Sequence, residues 1–137
     1  MTTMTLNCRC GSVQVRISAP AIAQFYCHCD DCQATSGGAF VPIALFPSDA
    51  VSVQGETFTW TYKTLPRTRC SNCGTFLFGE PQGIGLRGVS GSLLPAGMFH
   101  ATFHNQCQFA LLPVRDELPH FKNSPPEFGG TDERVGW

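Results

Sequence analysis

The chain has 137 residues, with nine lysines and arginines against ten aspartates and glutamates. That length predicts one domain that buries about two-thirds of its unfolded surface, so the chain is large enough to fold without a metal. A net charge near zero with no basic stripe argues against binding to a phosphate backbone, and we expect no nucleic-acid partner.

The sequence also predicts a soluble, cytoplasmic protein with no membrane partner. Its longest apolar stretch, residues 39–46, is interrupted by Pro42 and falls far short of the ~20 residues of a membrane helix. Residues 1–10 contain no apolar run that could serve as a signal peptide. In a reducing cytosol, eight cysteines indicate metal binding, with a disulfide-stapled secreted module as the alternative.

Alternating apolar residues predict a mainly β fold. The alternating positions are Val13, Val15 and Ile17, then Phe58, Trp60 and Tyr62, and then Phe76 and Phe78. Fourteen glycines and ten prolines leave no room for long helices, although a short helical turn is expected after Cys29. A turn and a short strand are predicted over residues 47–55. We predict one domain over residues 1–122 and a surface tail over residues 123–137, because the tail is rich in proline and glycine.

Seven of the eight cysteines fall into three short clusters whose spacing is typical of metal ligation. The clusters are Cys8 with Cys10, then Cys27, Cys29 and Cys32, and then Cys70 with Cys73. Brought together by one small fold, they can supply four thiolates to one ion and three to another. We therefore predict two zinc ions as cofactors, one structural and one catalytic.

The outer pairs predict a closed metal site. Gly11 follows Cys10 and Gly74 follows Cys73, and glycine permits the tight turn that directs two sulfurs at one metal. We assign a structural zinc to four ligands, which are Cys8, Cys10, Cys70 and Cys73. Four thiolates complete the coordination, and such sites stabilise the fold. The alternative is that these are ordinary buried cysteines.

The middle cluster predicts an open site. Cys27, Cys29 and Cys32 lie within six residues and leave one tetrahedral position free. Water or a substrate thiol can take that position, and coordination deprotonates a thiol, so we predict these three cysteines as metal ligands with a catalytic role. His28 is the competing fourth ligand, but between two ligating cysteines its side chain is expected to point away.

The remaining polar residues give weaker signals. Asp30 and Asp31 are expected to cap the following turn or to act on a proton, and Cys107 is expected to be a core thiol. Structural or surface roles are expected for the other histidines and for three arginines, namely His100, His104, His120, Arg67, Arg69 and Arg87. For the arginines, the alternative is binding to the carboxylates of a small anionic substrate.

With these clusters the sequence resembles the glutathione-dependent formaldehyde-activating enzyme family, also called the CENP-V/GFA domain, from about Cys8 to Phe121. The stretches that carry the resemblance are Cys8-Arg9-Cys10-Gly11, then Cys27-His28-Cys29-Asp30-Asp31-Cys32 continued through Gln33 to Phe40, then Cys70-Ser71-Asn72-Cys73-Gly74, and finally Asp116, Leu118, Pro119 and Phe121. Three clusters in this order are far more specific than any one of them.

The resemblance implies an Mss4-like zinc-binding β fold, with a structural zinc on the outer pairs and a second zinc on the middle cluster. It also implies a carbon–sulfur lyase-type activity on a thiol adduct such as S-hydroxymethylglutathione, made from formaldehyde and glutathione. The expected partner is therefore a small-molecule thiol such as glutathione. The many aromatic residues would also be compatible with a homodimer. The alternatives are a non-catalytic zinc-binding thiol carrier and an Mss4-like interaction module.

Overall fold

The computed structural model describes residues 3–137, which are 38% strand and 14% helical. The prediction of a mainly β fold with short helical turns is therefore confirmed. In chain order, the strands of the described residues are β1 Met4–Asn7, β2 Gln14–Ile17, β3 Ala23–Cys27, β4 Val41–Pro47, β5 Val51–Gln54, β6 Thr57–Tyr62, β7 Leu65–Cys70, β8 Phe76–Gly79, β9 Leu86–Ser90 and β10 Phe103–Asn105. One α-helix in this part of the chain, α1 Asp30–Ser36, follows β3.

The described chain divides into two compact units. The first unit comprises residues 3–23 and 44–99, and the second comprises residues 24–43 and 100–137. The prediction that residues 1–122 form one domain and residues 123–137 a separate tail stays a prediction.

The first unit contains two groups of strands around one core. In one group β1, β2 and β5 pair antiparallel in that order, and in the other the order is β4-β9-β8-β7-β6. The strands predicted from alternation are β2, β6 and β8, and all three are present. The predicted turn and strand over residues 47–55 are a 3-10 turn, Ser48–Ala50, followed by β5. The core is formed by aliphatic side chains together with Phe46, Phe78 and two cysteines, and its fully buried members include Val13, Val15, Leu77, Val89 and Cys70.

Strand β6 does not use its aromatic residues to build this core. Phe58, Trp60 and Tyr62 share one face of the strand and are 45%, 69% and 37% exposed. Opposite them in β7 stand arginines, with Arg69 paired to Phe58 and Arg67 paired to Trp60. The alternation thus predicted the strand correctly, but this aromatic face is turned to solvent.

The second unit is built around aromatic rings. Strand β10 pairs parallel to β3, with Phe103 opposite Phe25, and the two rings stack with centroids 4.9 Å apart. Phe121 packs edge-on against Phe103 at 5.7 Å. Strand β3 ends at Cys27, directly before α1, so this pairing fixes where the middle cysteine cluster begins.

No helix within residues 3–137 is both long enough and apolar enough to cross a membrane.

Candidate metal centres

The structure brings together the four cysteines of the outer pairs, which we call the four-cysteine cluster. Their sulfurs all lie within 4.8 Å of one another. Cys8 Sγ is 3.5 Å from Cys10 Sγ, and both sulfurs are 3.7 Å from Cys70 Sγ. A disulfide needs about 2.05 Å, whereas sulfurs at the corners of a tetrahedron around zinc stand about 3.8 Å apart for a 2.3 Å bond. The four-cysteine cluster therefore fits a tetrahedral metal ion.

Two tight turns position these sulfurs. Gly11 donates its N–H to the Cys8 carbonyl at 3.1 Å, and Gly74 donates to the Cys70 carbonyl at 2.9 Å. Both glycines have left-handed backbone, with φ of 82° and 76°. A residue with a side chain is strained in that conformation, so each turn requires the glycine that follows its cysteine pair.

Hydrogen-bond donors surround the four-cysteine cluster. Backbone N–H groups of Val13 and Cys73 donate to the sulfurs of Cys8 and Cys70 at 3.3 and 3.4 Å. The Ser12 hydroxyl lies 3.0 Å from Cys10 Sγ, and Asn72 Nδ2 donates to the same sulfur at 3.3 Å. The Ser12 hydroxyl, followed by the Asn72 amide, lowers the pKa of the exposed Cys10 thiol to about 5. Such donors offset the negative charge that four thiolates would concentrate at one point.

The middle cluster, which we call the three-cysteine loop, gathers Cys27, Cys29 and Cys32 at the junction of β3 and α1. The three sulfurs lie within 4.8 Å of one another. Cys27 is buried, whereas Cys29 and Cys32 are partly exposed, so the loop has a buried side and a side open to solvent. Hydrogen bonds from the Cys27 thiol to Cys29 and Cys32, followed by burial, raise the pKa of Cys27 well above its ordinary value. Three converging thiols of this kind fit a metal with one position left for another ligand.

Helix α1 begins with a cysteine cap. Cys29 is the N-cap, and its sulfur accepts a hydrogen bond from the Cys32 N–H at 3.2 Å. The expectation that an aspartate would cap this turn is therefore wrong. Asp30 and Asp31 lie in the first turn itself, where an acidic side chain interacts favourably with the positive end of the helix dipole. The helix ends at Gly37, whose φ of 75° closes the last turn through a hydrogen bond to the Gln33 carbonyl.

Gln33 makes two hydrogen bonds that support the three-cysteine loop. Its Nε2 donates to the His28 carbonyl at 3.0 Å and to the Phe109 carbonyl at 2.8 Å. The amide thus connects the loop to the chain that follows β10.

His28 points away from the three-cysteine loop, as its position between two cysteines predicted. Its buried ring places Nε2 2.9 Å from His104 Nδ1, and Nδ1 has no hydrogen-bond partner. Burial, followed by the neighbouring His104 and His120, lowers the pKa of His28 to about 4. The ring is therefore neutral at neutral pH.

His28 adjoins a third group of ligating side chains that the sequence did not reveal. Nε2 of His104 lies 2.7 Å from Asp116 Oδ2, and Nε2 of His120 lies 2.9 Å from Asp116 Oδ1. We call His104, Asp116 and His120 the histidine cluster. His104 lies in β10, which begins at Phe103, so His100 lies outside that strand. The available signal was the four-residue spacing of Asp116 and His120.

Two of the three arginines considered as carboxylate ligands, Arg69 and Arg87, make structural contacts. Arg69 Nη1 donates to the Gly74 carbonyl at 3.2 Å beside the four-cysteine cluster. Arg87 binds Glu80 Oε1 at 3.2 Å and the Val51 carbonyl at 2.9 Å. Arg67 is 7% exposed, and its Nη1 has no hydrogen-bond partner. Cys107, expected to be a core thiol, is buried.

The part of the chain that contains the cysteine clusters also matches a known protein family. A family profile described as glutathione-dependent formaldehyde-activating enzyme matches residues 3–110. The chain belongs to this family. The matched residues include all seven clustered cysteines and exclude Asp116 and His120. The resemblance inferred from the three clusters is thereby confirmed.

Two relatives of this formaldehyde-activating family carry the printed name "putative glutathione-dependent formaldehyde-activating enzyme". The Penicillium rubens protein is 32% identical over 81 residues, which are 55% of this chain and 42% of the relative. The Talaromyces marneffei protein is 29% identical over 81 residues, 55% of this chain and 43% of the relative. The matched part of the chain thus spans less than half the length of either curated relative.

A crystal structure of a Rhodobacter sphaeroides protein is similar in fold to this member of the formaldehyde-activating family. The two chains superpose with a TM-score of 0.57 at 16% identity, over 68% of this chain and 89% of the other. At that identity the likeness concerns the fold.

Proposed function

We propose that this protein is a zinc-dependent enzyme of the carbon–sulfur lyase type that handles adducts of formaldehyde with a small thiol such as glutathione. The single observation that carries the proposal is the three-cysteine loop, whose three sulfurs converge while two of its cysteines remain partly exposed. Family membership and the names of the relatives support the same chemistry.

The proposal assigns different roles to the two groups of cysteines. The four-cysteine cluster would hold a structural zinc, because four ligands complete its coordination and hydrogen-bond donors already surround the sulfurs. Cys27, Cys29 and Cys32 would hold the second zinc. Bound there, that ion supplies a Lewis acid that keeps a substrate thiol in its reactive thiolate form.

The residues around the three-cysteine loop provide a place for the substrate. Gly37 presents bare backbone one turn beyond Cys32, and a Cβ built on it would have no atom within 4 Å. Open space beside exposed backbone allows a small peptide-like thiol to approach. Gln33 keeps the loop in place through its two carbonyl contacts, so the three sulfurs stay fixed while the substrate binds.

The reaction conserves atoms and electrons without a redox partner. In the synthetic direction, the thiol sulfur forms a bond to the aldehyde carbon while the carbonyl π bond breaks. The proton lost from the sulfur ends on the new hydroxyl oxygen. The reverse reaction breaks the carbon–sulfur bond and returns formaldehyde and the free thiol.

Formaldehyde also adds to thiols without a catalyst, so the test must separate the catalysed rate from the uncatalysed rate. It must also separate catalysis from binding alone. Exchange NMR with glutathione and formaldehyde would measure the interconversion rate with wild-type protein, Cys29→Ser and Cys107→Ala. We expect wild type and Cys107→Ala to accelerate exchange equally and Cys29→Ser to lose the acceleration. If wild type leaves the rate for glutathione and other small thiols unchanged, the protein is not this enzyme. Glutathione binding by calorimetry without a rate effect would identify a carrier instead.

A further inference from the structure

The histidine cluster contains a buried ring nitrogen that its hydrogen bonds leave unsatisfied. The imidazoles of His104 and His120 are 0% and 7% exposed, and both direct Nε2 toward the one carboxylate of Asp116. The side chain of Asp116 is 34% exposed, so the carboxylate faces solvent while the rings do not. This arrangement combines buried nitrogen ligands with an entry route.

One of these nitrogens lacks a hydrogen-bond partner. His120 Nε2 lies 2.9 Å from Asp116 Oδ1, but the contact is not aligned as a hydrogen bond, and the nitrogen has no other partner. Leaving a buried polar atom unsatisfied costs about 1–3 kcal/mol. A cation seated between the three side chains would satisfy it.

The distances suit a metal ion. With bonds of about 2.0–2.2 Å to histidine nitrogen and carboxylate oxygen, neighbouring ligand atoms stand about 3.0 Å apart in octahedral coordination and about 3.4 Å apart in tetrahedral coordination. The two nitrogen–oxygen separations here are 2.7 and 2.9 Å, and ligand atoms of all three residues lie within 4.8 Å of one another. The donor set of two imidazoles and one carboxylate binds divalent first-row metals and leaves further positions open.

Neighbouring groups hold the ligands in place. His28 Nε2 contacts His104 Nδ1 at 2.9 Å, and the Leu118 N–H donates to Asp116 Oδ1 at 3.1 Å. The Trp137 ring covers His120, with ring centroids 4.8 Å apart. The contact of His104 Nδ1 with His28 is typical of ligating histidines, whose second nitrogen commonly makes a hydrogen bond that fixes the ring and the tautomer.

We propose that Nε2 of His104, the carboxylate of Asp116 and Nε2 of His120 form a third metal site, for a divalent first-row transition metal, separate from both groups of cysteines. On binding, His104 takes the Nδ1–H tautomer and donates that hydrogen to His28 Nε2, and the neutral His28 ring carries its own hydrogen on Nδ1. Nε2 of His104 and Nε2 of His120 then give their lone pairs to the ion. The site joins β10 to two later segments of the second unit. It does not depend on the proposed function.

The first experiment reads the wild-type ring nitrogens directly. Full-length protein labelled with ¹⁵N-histidine is titrated with Zn²⁺, and long-range NMR correlations report the state of each ring nitrogen. Nε2 of His104 and of His120 should move to metal-bound shifts, while the exposed His100 serves as an internal control. If both Nε2 nitrogens keep their metal-free shifts after the cysteine sites are filled, the proposal is wrong.

The second experiment counts metal after loading with Zn²⁺ and removal of unbound ion. We expect His120→Gln to contain one ion per chain less than wild type, and His100→Gln to match wild type. Equal metal content in folded His120→Gln and wild type would overturn the site. If His120→Gln fails to fold, the wild-type NMR titration decides alone.

Discussion

Cys8 Sγ lies 3.7 Å from Cys70 Sγ, although 62 positions separate the two residues in the chain. The contact joins the turn after β1 to the end of β7, and both sulfurs are buried at the edge of the first unit's core. A metal shared by these sulfurs would close a long loop, so its binding energy would contribute to folding.

The first prediction concerns this closure. Cys70→Ser should remove one metal ion per chain and destabilise the protein by more than about 3 kcal/mol, since structural zinc sites contribute strongly to folding. For a chain of this size, that corresponds to a fall in Tm of roughly 10 °C or more. Metal analysis and thermal unfolding would measure both effects. Cys107→Ala removes a buried thiol outside the clusters and should leave the metal content unchanged. Retention of full metal content by Cys70→Ser would contradict the assignment.

The second prediction concerns metal removal. The four-cysteine cluster offers four ligands and the three-cysteine loop three, so a mild chelator should remove one ion quickly and leave another bound. Timed chelation followed by metal analysis would resolve the two phases. These measurements use the His120→Gln background, so that an ion at the histidine cluster contributes no phase. In Cys32→Ser on that background, the fast phase alone should disappear. A single phase that includes every bound ion would show that the sites are not distinct in stability.

The third prediction concerns the turn at Gly74. Gly74→Ala should cost about 1–2 kcal/mol, because φ of 76° is strained for alanine, even though a Cβ there meets no atom within 4 Å. Chemical denaturation would measure the change. Gly136 also has open space for a Cβ and has no positive φ, so Gly136→Ala is the matched control and should be nearly neutral. Equal effects of the two substitutions would exclude backbone strain as the cause.

The fourth prediction concerns the support of the three-cysteine loop. Gln33→Glu replaces an N–H donor by a carboxylate that would face the carbonyls of His28 and Phe109. We expect a loss of about 1–3 kcal/mol and weaker metal binding at the loop, although no ligand is changed. Denaturation and competition with a chromogenic chelator would measure them. Gln108→Glu makes the same chemical change at an exposed position and should affect neither measurement.

The fifth prediction concerns alkaline pH. Burial, followed by the charge of Asp116, raises the pKa of the Cys107 thiol from an ordinary value near 9 to about 12. Below pH 9 both the folded and the unfolded thiol are protonated, so stability does not depend on this group. Between pH 9 and 12 the unfolded thiol ionises and the folded one does not, so the free energy of unfolding falls as pH rises.

The comparison of wild type with Cys107→Ala isolates that contribution. The difference between their unfolding free energies should be constant below pH 9. It should then shift in favour of the variant as pH rises toward 12, by a few kcal/mol at most. A difference that stays constant across this range would mean that the folded thiol titrates normally.

The sequence predicted the parts of the fold that depend on local pattern. Alternation identified β2, β6 and β8, and the paired glycines identified the turns at Gly11 and Gly74, because side-chain direction and left-handed backbone are properties of a few neighbouring residues. The two groups of cysteines were predicted for a similar reason. Thiols one or two residues apart are typical of metal sites.

The histidine cluster could not be predicted in the same way. His104 and Asp116 are twelve positions apart, and they meet only because β10 and the chain around Asp116 fold onto each other. Asp116 and His120 are four positions apart, but a single aspartate–histidine pair at that spacing is a much weaker signal than a cysteine pair. The aromatic face of β6 was also beyond prediction, since alternation shows which residues share a face but not which face is covered.

The two tryptophans give each unit its own fluorescent reporter. Trp60 is largely exposed on β6, whereas the ring of Trp137 lies 4.8 Å from that of His120 and 5.2 Å from that of His28. An indole in water emits at longer wavelength than a shielded one. Trp60→Phe would therefore leave an emission that follows the second unit alone, and Trp137→Phe one that follows the first, so the unfolding of each can be recorded without an added dye.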